Sequence, residues 1–268
     1  MEPHNRLLQT SQELEPIQEE GVLAQEALLM LAAGWKGIST VDVHGAVTFT
    51  LWLCGCNLRC PFCHNWRIAE RQNCGELDVE RLLGELARAK PYIDYLHVTG
   101  GEPLLQAEEL RHLFKRAREA GVARSLNTNA TLTKALEKVI DEVDHLATDL
   151  KIPDQMYGVP HWQQLWQNFL TSLKTASSRK IPIELRIPAA NLPLETYAKR
   201  IEEVSNALAE TEVTVVIQPL LGPPTTDPRD PQWCRQHCNP PPSHLQQIAK
   251  LAAALGKVVI KNYGIFTN

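Results

Sequence analysis

Stretches with strand character alternate with stretches of helical periodicity along most of this chain, and that alternation narrows the possible folds more than any other feature. Ala46–Leu53 is rich in β-branched and aromatic residues and reads as a buried strand. Leu77–Ala89 follows with helical spacing of Leu77, Val79, Leu82, Leu83 and Leu86. The strand Tyr95–Thr99, a helix near Ala107–Ala120, the strand Arg124–Asn127, a helix near Leu132–Ile140 and the strand His145–Asp149 continue the pattern. Helical sequence at Trp162–Ser178, the strand Ile183–Ile187, a helix at Leu194–Ala209 and the strand Val213–Gln218 complete six strands. Ser243–Leu255 then reads as helix, and Val258–Ile260 as a last short strand. Strands joined through helices form right-handed βα units and a parallel sheet. Six units fall short of the eight that close a barrel. The expected fold class is therefore α/β, a partial (β/α)6 TIM-like barrel with parallel strands. In such folds the chemistry sits at the C-terminal ends of the strands.

Two regions stand outside the alternation. Residues 1–34 read as an N-terminal helical extension, with Leu23, Ala27, Leu28, Met30 and Leu31 on a broad apolar face, and residues 35–268 form the barrel domain. Within it, residues 219–242 hold eight of the eighteen prolines together with Trp233, Cys234 and Cys238. Proline lacks the N–H that helices and central strands need. This stretch is expected to be a long loop on the active-site side, and such loops are often functional.

Composition limits the partners. The 268 residues are 44% hydrophobic and 22% charged, ordinary for a soluble globular chain with one large core. A net charge of −4 argues against a nucleic-acid binder that works through a broad basic face. The polar, acidic first twenty residues lack the basic start and apolar run of a signal peptide, and no stretch reaches the roughly 18 apolar residues of a membrane span. The expected location is the cytoplasm, with no membrane partner. There, seven cysteines with three crowded into residues 56–63 favour metal ligation over a disulfide framework.

Cys56, Cys60 and Cys63 lie within eight residues on a loop after a strand. Soft thiolates at that density select zinc, Cu(I) or an iron–sulfur cluster. Structural zinc wants four ligands, usually as two separated pairs. Three thiolates instead satisfy three irons of a cubane and leave the fourth open to a substrate's amino and carboxylate groups.

The spacing Cys-x3-Cys-x2-Cys, within Gly55–Asn65, resembles the signature of the radical S-adenosylmethionine superfamily. The resemblance implies one 4Fe–4S cluster on Cys56, Cys60 and Cys63, with S-adenosylmethionine as the second cofactor. It places Phe62 near the adenine and His64 among the cofactor contacts. Gly100-Gly101-Glu102-Pro103 resembles the second family motif. Glycines there would let the cofactor's amino group approach strand-end carbonyls, and Glu102 would hold that ammonium or a nearby loop. Asn127-Thr128-Asn129 resembles an Asp-Thr-Asn-Gly segment that reaches the ribose, with Asn127 in place of Asp and Ala130 in place of Gly. Asp149-Leu150-Lys151 resembles the Asp-Leu-Lys of glycyl-radical-enzyme activases, in which the lysine pairs with the cofactor carboxylate. Arg186 is a further candidate for that carboxylate, and Gln218 stands where pyruvate formate-lyase activases carry a histidine.

With Gly34–Val43 and Gly55–Trp66, these motifs resemble activating proteins of anaerobic ribonucleoside-triphosphate reductase and related activases over residues 34–220. The resemblance implies reductive cleavage of S-adenosylmethionine to a 5′-deoxyadenosyl radical and hydrogen abstraction from a glycine of a partner glycyl radical enzyme. The electron donor would be a ferredoxin or flavodoxin. No side-chain general base is needed for the abstraction. Two alternatives are a radical enzyme acting on a small molecule or peptide and a non-enzymatic zinc or iron–sulfur module. Cys54, Cys74, Cys234 and Cys238 are enough in number for a further metal site, but they lack a recognised common spacing.

Overall fold

A computed structural model describes residues 29–261. Its strands, in chain order, are β1 (Leu31–Ser39), β2 (Thr48–Leu53), β3 (Gly75–Glu76), β4 (Tyr95–Gly100), β5 (Ala123–Asn127), β6 (His145–Asp149), β7 (Ile183–Ala189), β8 (Val213–Pro219) and β9 (Lys257–Ile260). They form one sheet in the order β3-β1-β2-β4-β5-β6-β7-β8-β9. All pairings from β2 through β9 are parallel. The parallel α/β architecture expected from the alternation is present. β1 and β3 add an antiparallel margin that the alternation did not announce.

Period-two alternation sorts the two faces. Phe49, Leu51, Leu53, Leu96, Val98, Leu126, Leu146, Leu185 and Ile217 are fully buried, on the face covered by helices. These helices include α2 (Val79–Ala89), α3 (Ala107–Glu119), α4 (Thr133–Val139), α6 (Trp162–Ser178), α7 (Leu194–Ala207) and α9 (Pro242–Ala252); α1 (Trp66–Ala69), α5 (Pro153–Met156) and α8 (Pro231–His237) are short. Neighbours in the layer follow chain order, α3 beside α4, α4 beside α6, α6 beside α7 and α7 beside α9, as right-handed crossovers require. In α6, Leu165, Trp166, Phe169, Leu173 and Ala176 recur every three or four residues and are buried; each large side chain so buried stabilises the fold by about 2 kcal/mol.

The opposite face of the sheet is polar and curls on itself. The loop between β1 and β2 crosses to the far strands: the Asp42 carbonyl accepts from Arg186 on β7, the His44 N–H donates to Glu184 at 2.7 Å, and Lys261 donates to the Val41 carbonyl at 3.0 Å. A curved sheet lets this loop reach β7 and the residue after β9.

Three expectations change. The helical extension lies mostly outside the described residues, but Leu31–Gly34 belong to β1, where the Leu31 N–H pairs with Gln106. Within the proline-rich stretch, Pro231–His237 forms α8. Proline costs nothing at the first helical position, and Asp230 accepts from the N–H groups of Gln232 and Trp233. Finally, the four remaining cysteines form the disulfides Cys54–Cys74 and Cys234–Cys238. The first pairing rests on tertiary proximity, which spacing cannot reveal; the second is local, one helical turn apart. Among the described residues, no helix is long and apolar enough to cross a membrane.

Candidate active site

The cysteine loop leaves the C-terminal end of β2 and is fastened to the adjoining strand end. The Gly101 N–H donates to the Leu53 carbonyl (2.9 Å) and the Glu102 N–H to the Gly55 carbonyl (2.7 Å). A Cβ at Gly101 would stand 2.0 Å from the Gly55 oxygen, and one at Gly100, where φ is +122°, would stand 2.2 Å from the Leu53 oxygen. The glycine pair therefore answers to the close approach of two chain segments. That is a different reason from the ligand approach expected of it.

Glu102 is fully buried. Its carboxylate accepts from the Leu104 N–H, the Thr128 hydroxyl and the Asn129 N–H at 2.7–2.9 Å. Burial pushes its pKa up, and those donors oppose the shift. Of the two roles expected, these bonds support holding a loop. The held loop carries Asn129, whose amide donates to Asn57 (2.8 Å) and lies 3.9 Å from the Cys56 sulfur. Asn127 donates to Thr99 at 2.8 Å. Ala130 sits at φ 55°, the left-handed conformation that the resembling motif meets with glycine. Its N–H is held by the Thr128 hydroxyl.

Cys56, Cys60 and Cys63 are unpaired, and Cys60 is buried. Burial dominates their acidity, raising Cys56 to about 11 and Cys60 to about 12; Cys63 moves the same way. Thiols so placed stay neutral until a metal replaces the proton. Below them, the Arg59 N–H donates to the Tyr157 carbonyl at 2.9 Å, and Gly158 at φ 66° lets the two backbones touch. Lys151 is buried and donates to Asp149 at 2.7 Å. Burial opposes both charges, but their mutual attraction prevails: Asp149 is lowered and Lys151 raised, so the pair is ionised at neutral pH. The Lys151 ammonium is also the strongest charge acting to ease ionisation of Cys60.

Arg186 pairs with Asp149 in the strand register, but its guanidinium is engaged by Glu184 (2.7 Å) and by the Asp42 carbonyl. Gln218 is half-buried near the end of β8, opposite Pro188. His64 is exposed. Phe62 is half-buried, with its ring centroid 6.0 Å from that of Trp233 in the proline-rich loop. That loop is bonded directly to the cysteines: the Arg229 N–H donates to the Cys63 carbonyl (3.0 Å) and the Asp230 N–H to the Pro61 carbonyl (2.8 Å).

Sequence reasoning missed Asn57 and Tyr157, and named Trp233 only as part of the proline-rich stretch. Tyr157 is 1% exposed, and its buried hydroxyl has no hydrogen-bond partner among the described residues. Its one local signal is Gly158, a glycine just past a short helix.

The Radical SAM superfamily profile matches residues 51–204. The chain belongs to the Radical SAM superfamily. Pyruvate formate-lyase-activating enzyme of Staphylococcus aureus is 34% identical over 170 residues, spanning 56% of this chain and 64% of that one. A Methanocaldococcus jannaschii protein, provisionally named a glycyl-radical enzyme activating enzyme, is 29% identical over 123 residues, 45% of this chain and 50% of the relative. The chain thus spans about half to two-thirds of the length of the curated relatives it matches. The solved structure of Streptococcus suis SuiB bound to precursor peptide SuiA superposes with a TM-score of 0.58 at 12% identity, covering 78% of this chain and 47% of that one. This last likeness concerns the fold alone.

Membership implies a 4Fe–4S cluster and S-adenosylmethionine. The donor set fits the cluster: three unpaired thiols share one loop, while every other cysteine is paired. Among the described residues, no three His, Cys, Asp or Glu side chains converge on one metal ion. A cubane needs no such convergence, because each thiolate binds its own iron.

Proposed function

We propose that Cys56, Cys60 and Cys63 hold a single 4Fe–4S cluster with one open iron, and that this protein installs a glycyl radical on a partner enzyme. Bound together, the cluster and S-adenosylmethionine supply one-electron cleavage of the cofactor and a radical that abstracts a hydrogen atom. The chain's own part is to bind, orient and exclude water. The Cys56–Cys63 loop supplies the thiolates. Lys151, kept charged by Asp149, is placed to receive the cofactor's carboxylate. Asn127, Asn129 and Gln218 offer amides to its hydroxyls and base, Phe62 packs on the adenine, and Gly100 and Gly101 keep the strand end against the cysteine loop. His64 is a second-rank contact on the same rim, and Arg186, whose guanidinium is held by Glu184 and the Asp42 carbonyl, is a further one from below it. An external donor of ferredoxin or flavodoxin type delivers the electron, and no nucleic acid is involved.

The observation that carries this reading is the division of the cysteines. Three remain free on the strand-end loop beside a buried ammonium, and four are locked in disulfides. Support for the glycyl radical comes from the two activase-type relatives. Anaerobic reconstitution should give reductive formation of 5′-deoxyadenosine, abolished in Cys60→Ala. Mixing with a glycyl radical enzyme from the same genome should give a doublet in the electron paramagnetic resonance spectrum. Cofactor cleavage without that doublet would leave the cluster reading standing and overturn the activase reading.

A further inference from the structure

We propose that Cys54–Cys74 is a thiol–disulfide exchange site whose redox state sets how firmly the loop carrying Cys56, Cys60 and Cys63 is held. The bond joins positions 20 residues apart, and all three free cysteines lie inside the ring it closes. Cys54 is anchored in the sheet: its N–H donates to the Leu31 carbonyl (3.0 Å), and its carbonyl accepts from Gln106 (3.3 Å).

The returning arm is held through its first half, where the Gly55 N–H donates to the Ile68 carbonyl (3.0 Å) and the Gln72 N–H to the Arg67 carbonyl (2.7 Å), and is held less around Asn73 and Cys74. Glu70–Asn73 and Gly75–Glu76 are exposed, and β3 is a two-residue strand at the sheet edge. Arg71 and Asn73 take positive φ, 59° and 58°, a conformation that asparagine tolerates and that costs a residue such as Arg71 about 1 kcal/mol or more. Past Cys74, Gly75 and Glu76 pair with Ala32 and Leu31 of β1, and the Leu77 N–H donates to the Met30 carbonyl (2.8 Å). Between Gln72 and Gly75 the disulfide is the link that joins this exposed segment to Cys54.

Access sets this disulfide apart from the other. Cys234 and Cys238 are 2% and 5% exposed, whereas Cys54 is buried and Cys74 is half-exposed. A thiolate of a dithiol reductant can reach the Cys74 sulfur, form a mixed disulfide there and expel the Cys54 thiolate. The second thiol of the reductant then displaces Cys74. The reductant becomes a disulfide, and two electrons and two protons pass to Cys54 and Cys74. The freed arm and the cysteine loop gain the mobility that cluster entry and loss require. The oxidised form keeps the loop shaped in the empty protein.

The test uses the full chain without cluster, so a failure of the glycyl-radical reading leaves its outcome untouched. Graded dithiothreitol followed by alkylation and mass spectrometry should label Cys54 and Cys74 before Cys234 and Cys238. Amide exchange across residues 66–76 should accelerate on the order of a hundredfold on reduction, as expected for opening a loop of about twenty residues. Cys54→Ser with Cys74→Ser should show the fast exchange without reductant, while Cys234→Ser with Cys238→Ser should not. In the reconstituted protein, chelator should bleach the cluster absorbance faster after reduction. Equal exchange in oxidised and reduced wild-type chains, or earlier labelling of Cys234 and Cys238, would sink the proposal.

Discussion

At the C-terminal rim of the sheet, Asp149 and Lys151 form an ion pair beside three free thiols; at its N-terminal floor, His97, Ser125 and His145 form a hydrogen-bonded chain. The floor residues occupy one cross-strand row, and the Ser125 hydroxyl lies 2.8 Å from Nδ1 of each histidine. One hydroxyl has one proton, so it donates to one ring and accepts from the other, and the two histidines carry opposite tautomers. Beside them, Glu184 bridges Arg186 and the His44 N–H. A cavity of about 380 Å³ opens at that end, lined in part by His145, Glu184, Glu212 and Asp94. Both ends are polar. The floor spends most of its polar groups on one another, with the buried His97 Nε2 left without a partner among the described residues, whereas the rim keeps soft donors unspent. A site for chemistry needs the second arrangement, and the first holds it in shape.

The largest expected effect lies at the rim. Asp149→Asn leaves the Lys151 ammonium buried without its counter-charge. Loss of one partner of a buried pair costs about 3–5 kcal/mol; the 29% exposure of Asp149 puts the expectation near the low end, about 3 kcal/mol. Urea denaturation of the cluster-free chain measures it, and adding Lys151→Met should restore much of the loss. A cost below about 1 kcal/mol would mean that the rim pair is as weak as a surface one.

Glu102→Gln comes next. The amide keeps one acceptor oxygen but turns an NH2 towards a donor, stranding either the Asn129 N–H or the Thr128 and Leu104 donors, at a cost of about 2 kcal/mol. Because the loop so released also carries Asn129 beside Cys56, amide exchange at residues 128–131 should rise with it. Unchanged exchange there would separate Glu102 from the loop.

Rim and floor also differ in how readable they were. The rim was legible because its chemistry is local in sequence: Cys56–Cys63, Gly100–Glu102 and Asp149–Lys151 are contiguous, and each ends a strand whose apolar alternate residues announce it. The sheet from β2 to β9 was legible for the same reason. The floor was not, since His97, Ser125 and His145 are single residues on three strands, and only register brings them together. β1 escaped because Ala32, Gly34 and Gly37 weaken its strand pattern, and β3 because two residues make no pattern. The pairing of Cys54 with Cys74 and the docking of Arg229 and Asp230 on the cysteine loop are tertiary events with no local signature.

Ser125→Ala tests the floor directly. It leaves two buried ring nitrogens without their shared partner, at an expected cost of roughly 1–2 kcal/mol. Cofactor binding at the rim should hardly change. A large loss of binding with little loss of stability would mean that the floor takes part in the chemistry.

The smallest effect is a pH response to which the floor contributes through His97. Burial holds the His97 pKa well below its ordinary value, with Arg186 and His145 adding in the same direction. The unfolded chain therefore binds a proton on this histidine near pH 6.5 that the folded chain refuses. Unfolding then takes up protons, so stability falls as pH drops below that point and is regained as pH rises. Between pH 7 and pH 6 the loss from one such histidine is about 0.7 kcal/mol. The rim pair should be silent over the same interval, because Asp149 is lowered and Lys151 raised, so both titrate far outside it. Urea midpoints at the two pH values, compared between wild type and His97→Gln, isolate this term. The variant's pH dependence should be flatter by that amount. Equal slopes would place the sensitivity elsewhere and remove the floor's distinction from the rim.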